Sequence, residues 1–139
     1  VAPPRMLVVD DDALVLRAIT RYIESLGAVC EVRAALGGEE ALDVLSSYSP
    51  DVAIIDLNMP IVSGRVVAQA IIAQRSPCVV VVFSATSPEI ETINALYRMG
   101  VSFVMDSKGT HGLLSLLLES GALPHRPPSR PFSVEDIDR

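Results

Sequence analysis

The sequence predicts an α/β fold, a parallel sheet of five strands doubly wound by helices on both faces. Two observations carry the prediction. Apolar runs of strand length alternate five times with longer segments of helical period, the pattern of repeated βα units joined by right-handed crossovers. One run, Val79 to Phe83, is four valines and a phenylalanine, apolar on both faces, as suits a strand covered by helices on each side.

The first strand is expected at Met6 to Asp10. A helix follows from about Ala13 to Leu26, where Val15, Ile19, Tyr22, Ile23 and Leu26 recur at three- and four-residue spacing. Asp12 can cap its start, and Gly27 stands where a left-handed C-terminal cap is needed. A second strand is expected near Val29 to Arg33, then a helix from about Gly38 to Ser47 with Leu42 and Leu45 turned inward. Pro50 breaks the chain before the third strand, Val52 to Asp56, and the turn-rich Leu57-Asn58-Met59-Pro60 leads to a helix over about Gly64 to Gln74. The fourth strand, Val79 to Phe83, precedes a helix over about Pro88 to Met99, with proline favoured in its first turn. The last strand is placed near Val101 to Met105 and the last helix near Thr110 to Glu119, whose leucines pack on the sheet and are numerous enough to serve a partner as well. For five such units the common strand order is flavodoxin-like, 2-1-3-4-5.

At 139 residues the chain has the length of one domain. Residues 5–122 are read as that domain, 1–4 as a short extension and 123–139 as a proline-rich tail or linker. A first residue of Val suggests an excised segment, and the tail is compatible both with an effector domain beyond it and with a stand-alone protein. The net charge of −6 and the lack of any Lys/Arg cluster argue against nucleic-acid binding. The longest apolar run, Cys78 to Phe83, is far short of the ~18 residues of a membrane span, and the first residues lack the pattern of a signal peptide. Cys30 and Cys78 lie in apolar runs at no metal-site spacing. They read as buried thiols of a reducing cytosol, so the expected location is cytoplasmic.

Ligands of such sheets bind at the carboxyl ends of the strands, where the strand order reverses. Strand one ends in Asp10-Asp11-Asp12, strand three in Asp56, and strand four in Ser84, followed by Ala85 and Thr86; Lys108 follows strand five. Crowded carboxylates repel one another unless a cation sits among them, and an all-oxygen donor set suits Mg²⁺. A carboxylate beside Mg²⁺ can attack phosphorus, with a hydroxyl and an ammonium stabilising the charge on the phosphoryl oxygens. The chain has ten arginines and a single lysine, Lys108, and a compact ammonium can approach such a group where a planar guanidinium needs more room.

These residues together, Asp10-Asp11, Asp56-Leu57-Asn58-Met59-Pro60 with Gly64, Ser84-Ala85 and Lys108, resemble a bacterial response-regulator receiver domain over about residues 5 to 121. The resemblance implies that Asp56 is the phosphoacceptor. It implies a Mg²⁺ ion held by Asp10, Asp11, Asp56 and the backbone carbonyl of Asn58, with Asp10 acting largely through water. Ser84 would hydrogen-bond the phosphoryl group, and Lys108 would pair with the acidic cluster and then with the phosphoryl oxygens. Asn58 and Thr86 fall at positions that influence the lifetime of the phosphoryl group. The implied partners are a histidine kinase or a histidine phosphotransfer protein, with a possible homodimer through helix four, strand five and helix five. The implied role is a switch that assists its own phosphorylation and slow dephosphorylation, not an enzyme in the ordinary sense.

The match departs at three positions. The family lysine usually comes seven residues after the glycine at Gly100; here that position is Ser107 and Lys108 is the eighth, which a one-residue bulge would reconcile. Gly109 stands where the family has proline, and Val104 where it has an aromatic switch, with Phe103 one residue early. A degenerate receiver, never phosphorylated and used as an interaction module, is the alternative these departures suggest. A haloacid-dehalogenase-type phosphatase needs a general acid two residues after the nucleophile, and Asn58 cannot serve as one. A dinucleotide-binding reading fails because no Gly-x-Gly-x-x-Gly follows strand one.

Overall fold

A computed structural model of the protein describes residues 3–25 and 30–106. In chain order it contains β1 (Arg5–Asp10), α1 (Ala13–Ser25), β2 (Glu31–Leu36), α2 (Gly38–Leu45), β3 (Val52–Asp56), α3 (Gly64–Ala73), β4 (Val79–Ser84), α4 (Ile90–Met99) and β5 (Phe103–Asp106). The strands form one parallel sheet in the order β2-β1-β3-β4-β5, as the sequence predicts. Gly27, the helix expected near Thr110 to Glu119, Lys108 and the proline-rich tail lie outside the described residues.

Strand alternation sorts the core into two layers. Met6, Val8, Val52, Ile54, Val81 and Phe83 point to the face covered by α1, where they meet Leu16, Ile19, Tyr22 and Ile23. Leu7, Val9, Ala53, Ile55, Val80 and Val82 point to the other face, against Ala41 and Leu45 of α2, Val67, Ala68 and Ile71 of α3, and Leu96 of α4. Each fully buried Val, Leu or Ile contributes about 1.5–3 kcal/mol. The central strands are therefore held from both sides, and their carboxyl ends form a rigid platform.

Three elements start two residues later than expected. β2 starts at Glu31 because the bond from the Glu31 N–H to the Pro4 carbonyl, 2.8 Å, sets its register against β1. α4 starts at Ile90, since Glu89 keeps an extended backbone and leaves Pro88 ahead of the helix. β5 starts at Phe103 because Val101 belongs to the end of α4. There Gly100 takes a left-handed φ of 115° and its N–H bonds the Tyr97 carbonyl, while the Val101 N–H reaches back to the Leu96 carbonyl. This is a Schellman cap, and its apolar contact is between buried Val101 and Leu96.

Two close approaches fix the rim of the sheet. The first residue of α3, Gly64, lies against the end of β3, where a Cβ would overlap the Asp56 carbonyl oxygen. Its N–H bonds the Leu57 carbonyl at 3.0 Å. Across the sheet, the Leu57 N–H bonds the Phe83 carbonyl at 2.8 Å, tying the loop after β3 to the end of β4.

Candidate functional site

Asp10 ends β1 and Asp56 ends β3, on neighbouring strands. Together with Asp11, each offers a carboxylate oxygen, and the three oxygens lie within 4.8 Å of one another. Asp10 is only 3% exposed, whereas Asp56 is half-buried and Asp11 open to solvent. Two short turns aim the carboxylates. The Asp12 N–H donates to Asp10 Oδ1 at 2.8 Å, and the Asn58 N–H donates to Asp56 Oδ1 at 3.1 Å. Asp12 does not turn into the cup. Its Oδ1 accepts the Leu14 N–H at 2.9 Å and caps α1, which settles its role as a helix cap.

The electrostatics follow from this crowding. Burial, the negative charges of Asp10 and Asp11 and a side-chain hydrogen bond with Asp11 push Asp56 up from 3.8 to about 6, against the opposing bond from Asn58. Asp10 is raised for the same reason, first by burial and then by its acidic neighbours, with the Asp12 N–H opposing. Ionised together, these groups are uncomfortable, and a divalent cation relieves them. Hard oxygen donors at this spacing fit Mg²⁺, whose ligands at about 2.1 Å span ~4 Å across the ion. The donor set therefore suits a magnesium ion.

Ser84 closes the rim from β4. It is 1% exposed, and its Oγ accepts the Asn58 amide Nδ2–H at 2.7 Å and the Thr86 N–H at 3.3 Å. The structure thus brings Asp10, Asp11, Asp56, Asn58 and Ser84 to one end of the sheet. Lys108 lies outside the described residues. Beside Asp11 opens a cleft of about 210 Å³, walled by Leu36 to Glu39 on one side and by Pro60 and Ile61 on the other.

Two features of the site were not read from the sequence. The Asn58 side chain bonds Ser84, whereas the resemblance puts only its backbone carbonyl among the ligands and marks its position as one that influences phosphoryl lifetime; its place two residues after Asp56 is the available signal. At Ile61 the backbone takes a φ of 67°, and the Val62 N–H bonds the Pro60 carbonyl at 2.7 Å, forming a tight γ-turn. No sequence signal marks it, since isoleucine is among the residues least suited to positive φ.

Among the described residues, no helix is long and apolar enough to cross a membrane. Cys30 and Cys78 are both free and half-buried, and burial pushes the Cys78 thiol up to about 12.

Comparison with known proteins agrees with this geometry. The family model for the response regulator receiver domain matches residues 6–108. A protein-glutamate methylesterase/protein-glutamine glutaminase of Methanococcoides burtonii is 33% identical over 107 residues, which are 76% of this chain and 30% of that protein. A protein of the same description from Rhodospirillum rubrum is 38% identical over 110 residues, 78% of this chain and again 30% of the relative. The chain therefore spans about 30% of the length of these curated relatives. Among solved structures, chemotaxis protein CheY4 of Vibrio cholerae superposes with a TM-score of 0.73 at 24% identity, covering 85% of this chain and 98% of that one. The N-terminal domain of an uncharacterized protein from Wolinella succinogenes gives 0.72 at 27% identity, over 87% and 94% of the two chains. With the acidic cup at the strand ends and a family match across most of its length, the chain belongs to the response regulator receiver domain family.

Proposed function

We propose that this domain is a phosphoacceptor switch in which Asp56 takes a phosphoryl group from a histidine kinase or a histidine phosphotransfer protein. The observation that supports it best is the meeting of Asp10, Asp11 and Asp56, distant in sequence, with oxygens within 4.8 Å. In the proposed step an oxygen of Asp56 forms a bond to phosphorus as the phosphorus–nitrogen bond of the donor breaks, and the donor imidazole keeps the electron pair. Asp10, Asp11, Asp56 and the Asn58 carbonyl would hold Mg²⁺, which when bound supplies positive charge for the phosphoryl oxygens. Ser84 donates its hydroxyl hydrogen to one of those oxygens, and Lys108 supplies the balancing ammonium. The relatives extend well beyond the matched region, so we infer that the domain regulates a separate output. Helix four, strand five and helix five are the proposed homodimer face, and the cytoplasm is the proposed location, in keeping with the two free cysteines.

Incubation with Mg²⁺ and acetyl phosphate is expected to add one phosphoryl mass, mapped to Asp56 and lost in Asp56→Asn. The place of Lys108, eight residues after Gly100, favours a second reading as an unphosphorylated interaction module. That reading requires no adduct from any donor and no Mg²⁺-dependent change in amide spectra on adding beryllofluoride. Either adduct or spectral change would reject it.

A further inference from the structure

Asn58 contacts two groups at once. Its N–H holds Asp56 Oδ1 at 3.1 Å, and its side-chain Nδ2 crosses to Ser84 Oγ at 2.7 Å. A serine hydroxyl has two lone pairs and one hydrogen. Both lone pairs of Ser84 are engaged, by Asn58 Nδ2 and by the Thr86 N–H at 3.3 Å. The other hydroxyl near it, Thr86 Oγ1, stands at 3.5 Å, the outer limit of a hydrogen bond. At 1% exposure, Ser84 also has little access to water.

With both lone pairs taken, the hydrogen in that long contact is the one on Ser84, donated to Thr86 Oγ1 in a bond weak enough to be exchanged for a stronger acceptor. Resting on the phosphoacceptor reading of Asp56, we propose that Asn58 is a positioning residue whose amide occupies the Ser84 oxygen and turns the hydroxyl hydrogen toward the phosphoryl group arriving at Asp56. A hydroxyl that accepts a short hydrogen bond is also a better donor, because bonds in a chain polarise one another. Without the amide, the hydroxyl can rotate and commit its hydrogen to a shorter bond with Thr86 Oγ1 or with a backbone carbonyl. The same residue that steadies the nucleophile thereby sets the direction of the donor facing it.

A double-mutant cycle tests this. Phosphoryl uptake from acetyl phosphate is followed at saturating Mg²⁺ in the wild type, Asn58→Ala, Ser84→Ala and the pair. Asn58→Ala is expected to slow uptake about three- to tenfold, the worth of one neutral hydrogen bond. In the S84A background the same substitution should change the rate about twofold or less. The Mg²⁺ concentration giving half-maximal uptake should not move, because the substitution leaves the backbone carbonyl in place. In the metal-free, unphosphorylated protein, Asn58→Ala should also shift the Thr86 amide resonance. Equal slowing in both backgrounds, or no slowing at all, would overturn the positioning role while leaving the phosphoacceptor reading intact. A wild-type protein that takes up no phosphoryl group would overturn that reading, and the role of Asn58 with it.

Discussion

At Ile61 the backbone takes a φ of 67° inside a γ-turn, and the side chain is 90% exposed. A β-branched residue at positive φ costs on the order of 1–3 kcal/mol, and no burial offsets it here. Asparagine tolerates this region far better. Ile61→Asn is therefore expected to stabilise the domain by about 1 kcal/mol, read as a higher urea midpoint at unchanged slope. A lower midpoint would mean that Ile61 makes contacts its exposure does not suggest. Gly64 is the opposite case. A methyl group there has nowhere to go but into the Asp56 backbone, which cannot yield without moving the carboxylate. Gly64→Ala is expected to weaken Mg²⁺ binding as well as stability, and isothermal titration beside thermal melting would separate the two losses.

At the level of elements, the Gly100 cap shows why a strand boundary escaped the sequence. Val101 is apolar and continues into Ser102-Phe103-Val104-Met105, so periodicity assigns it to a strand. The helix claims it first, through its N–H to the Leu96 carbonyl at 3.1 Å. The nearest atoms to a Cβ on Gly100 would be those of Ile72, at 3.5 Å or more, which is ordinary contact. The cost of Gly100→Ala is therefore conformational, about 1–2 kcal/mol from forcing an alanine into the left-handed region. Equilibrium unfolding of that variant checks the figure; a loss of ~4 kcal/mol would point to a packing role instead. The same competition explains what was legible and what was not. Periodicity places strands β1, β3 and β4 to within a residue because their runs are buried on both faces and it has no rival there. The expected second strand, Val29 to Arg33, starts two residues early and ends three early: β2 lies at the sheet edge with Glu31, Arg33 and Ala34 exposed, and its register comes from pairing with β1, not from its own pattern. The acidic cup was legible because topology alone brings the strand ends together. The Asn58 to Ser84 bond was not, since it depends on the path of a loop.

For the whole molecule, the cup couples fold stability to protons and, through the proposed ion, to metal. Asp56 in the folded, metal-free protein stands at about 6, above its ordinary 3.8, and Asp10 is raised as well. Between those values the folded state binds more protons than the unfolded state, so this contribution favours folding below the ordinary carboxylate pKa and is lost as pH rises through about 6. In a chelator, the melting temperature is thus expected to fall between about pH 5 and pH 7.5. Asp56→Asn should flatten that slope and melt higher than the wild type at the upper pH, because it removes one repelling charge. Mg²⁺ held by the cup as proposed would reverse the sign, since a cation favours the ionised carboxylates over the protonated ones. At a concentration tenfold above its dissociation constant it contributes about 1.4 kcal/mol, or ~5 °C at the upper pH and much less near pH 5. Calorimetry across pH with and without Mg²⁺ measures all three slopes. If the metal raises the melting temperature equally at both ends of the range, the ion is held elsewhere than by these carboxylates.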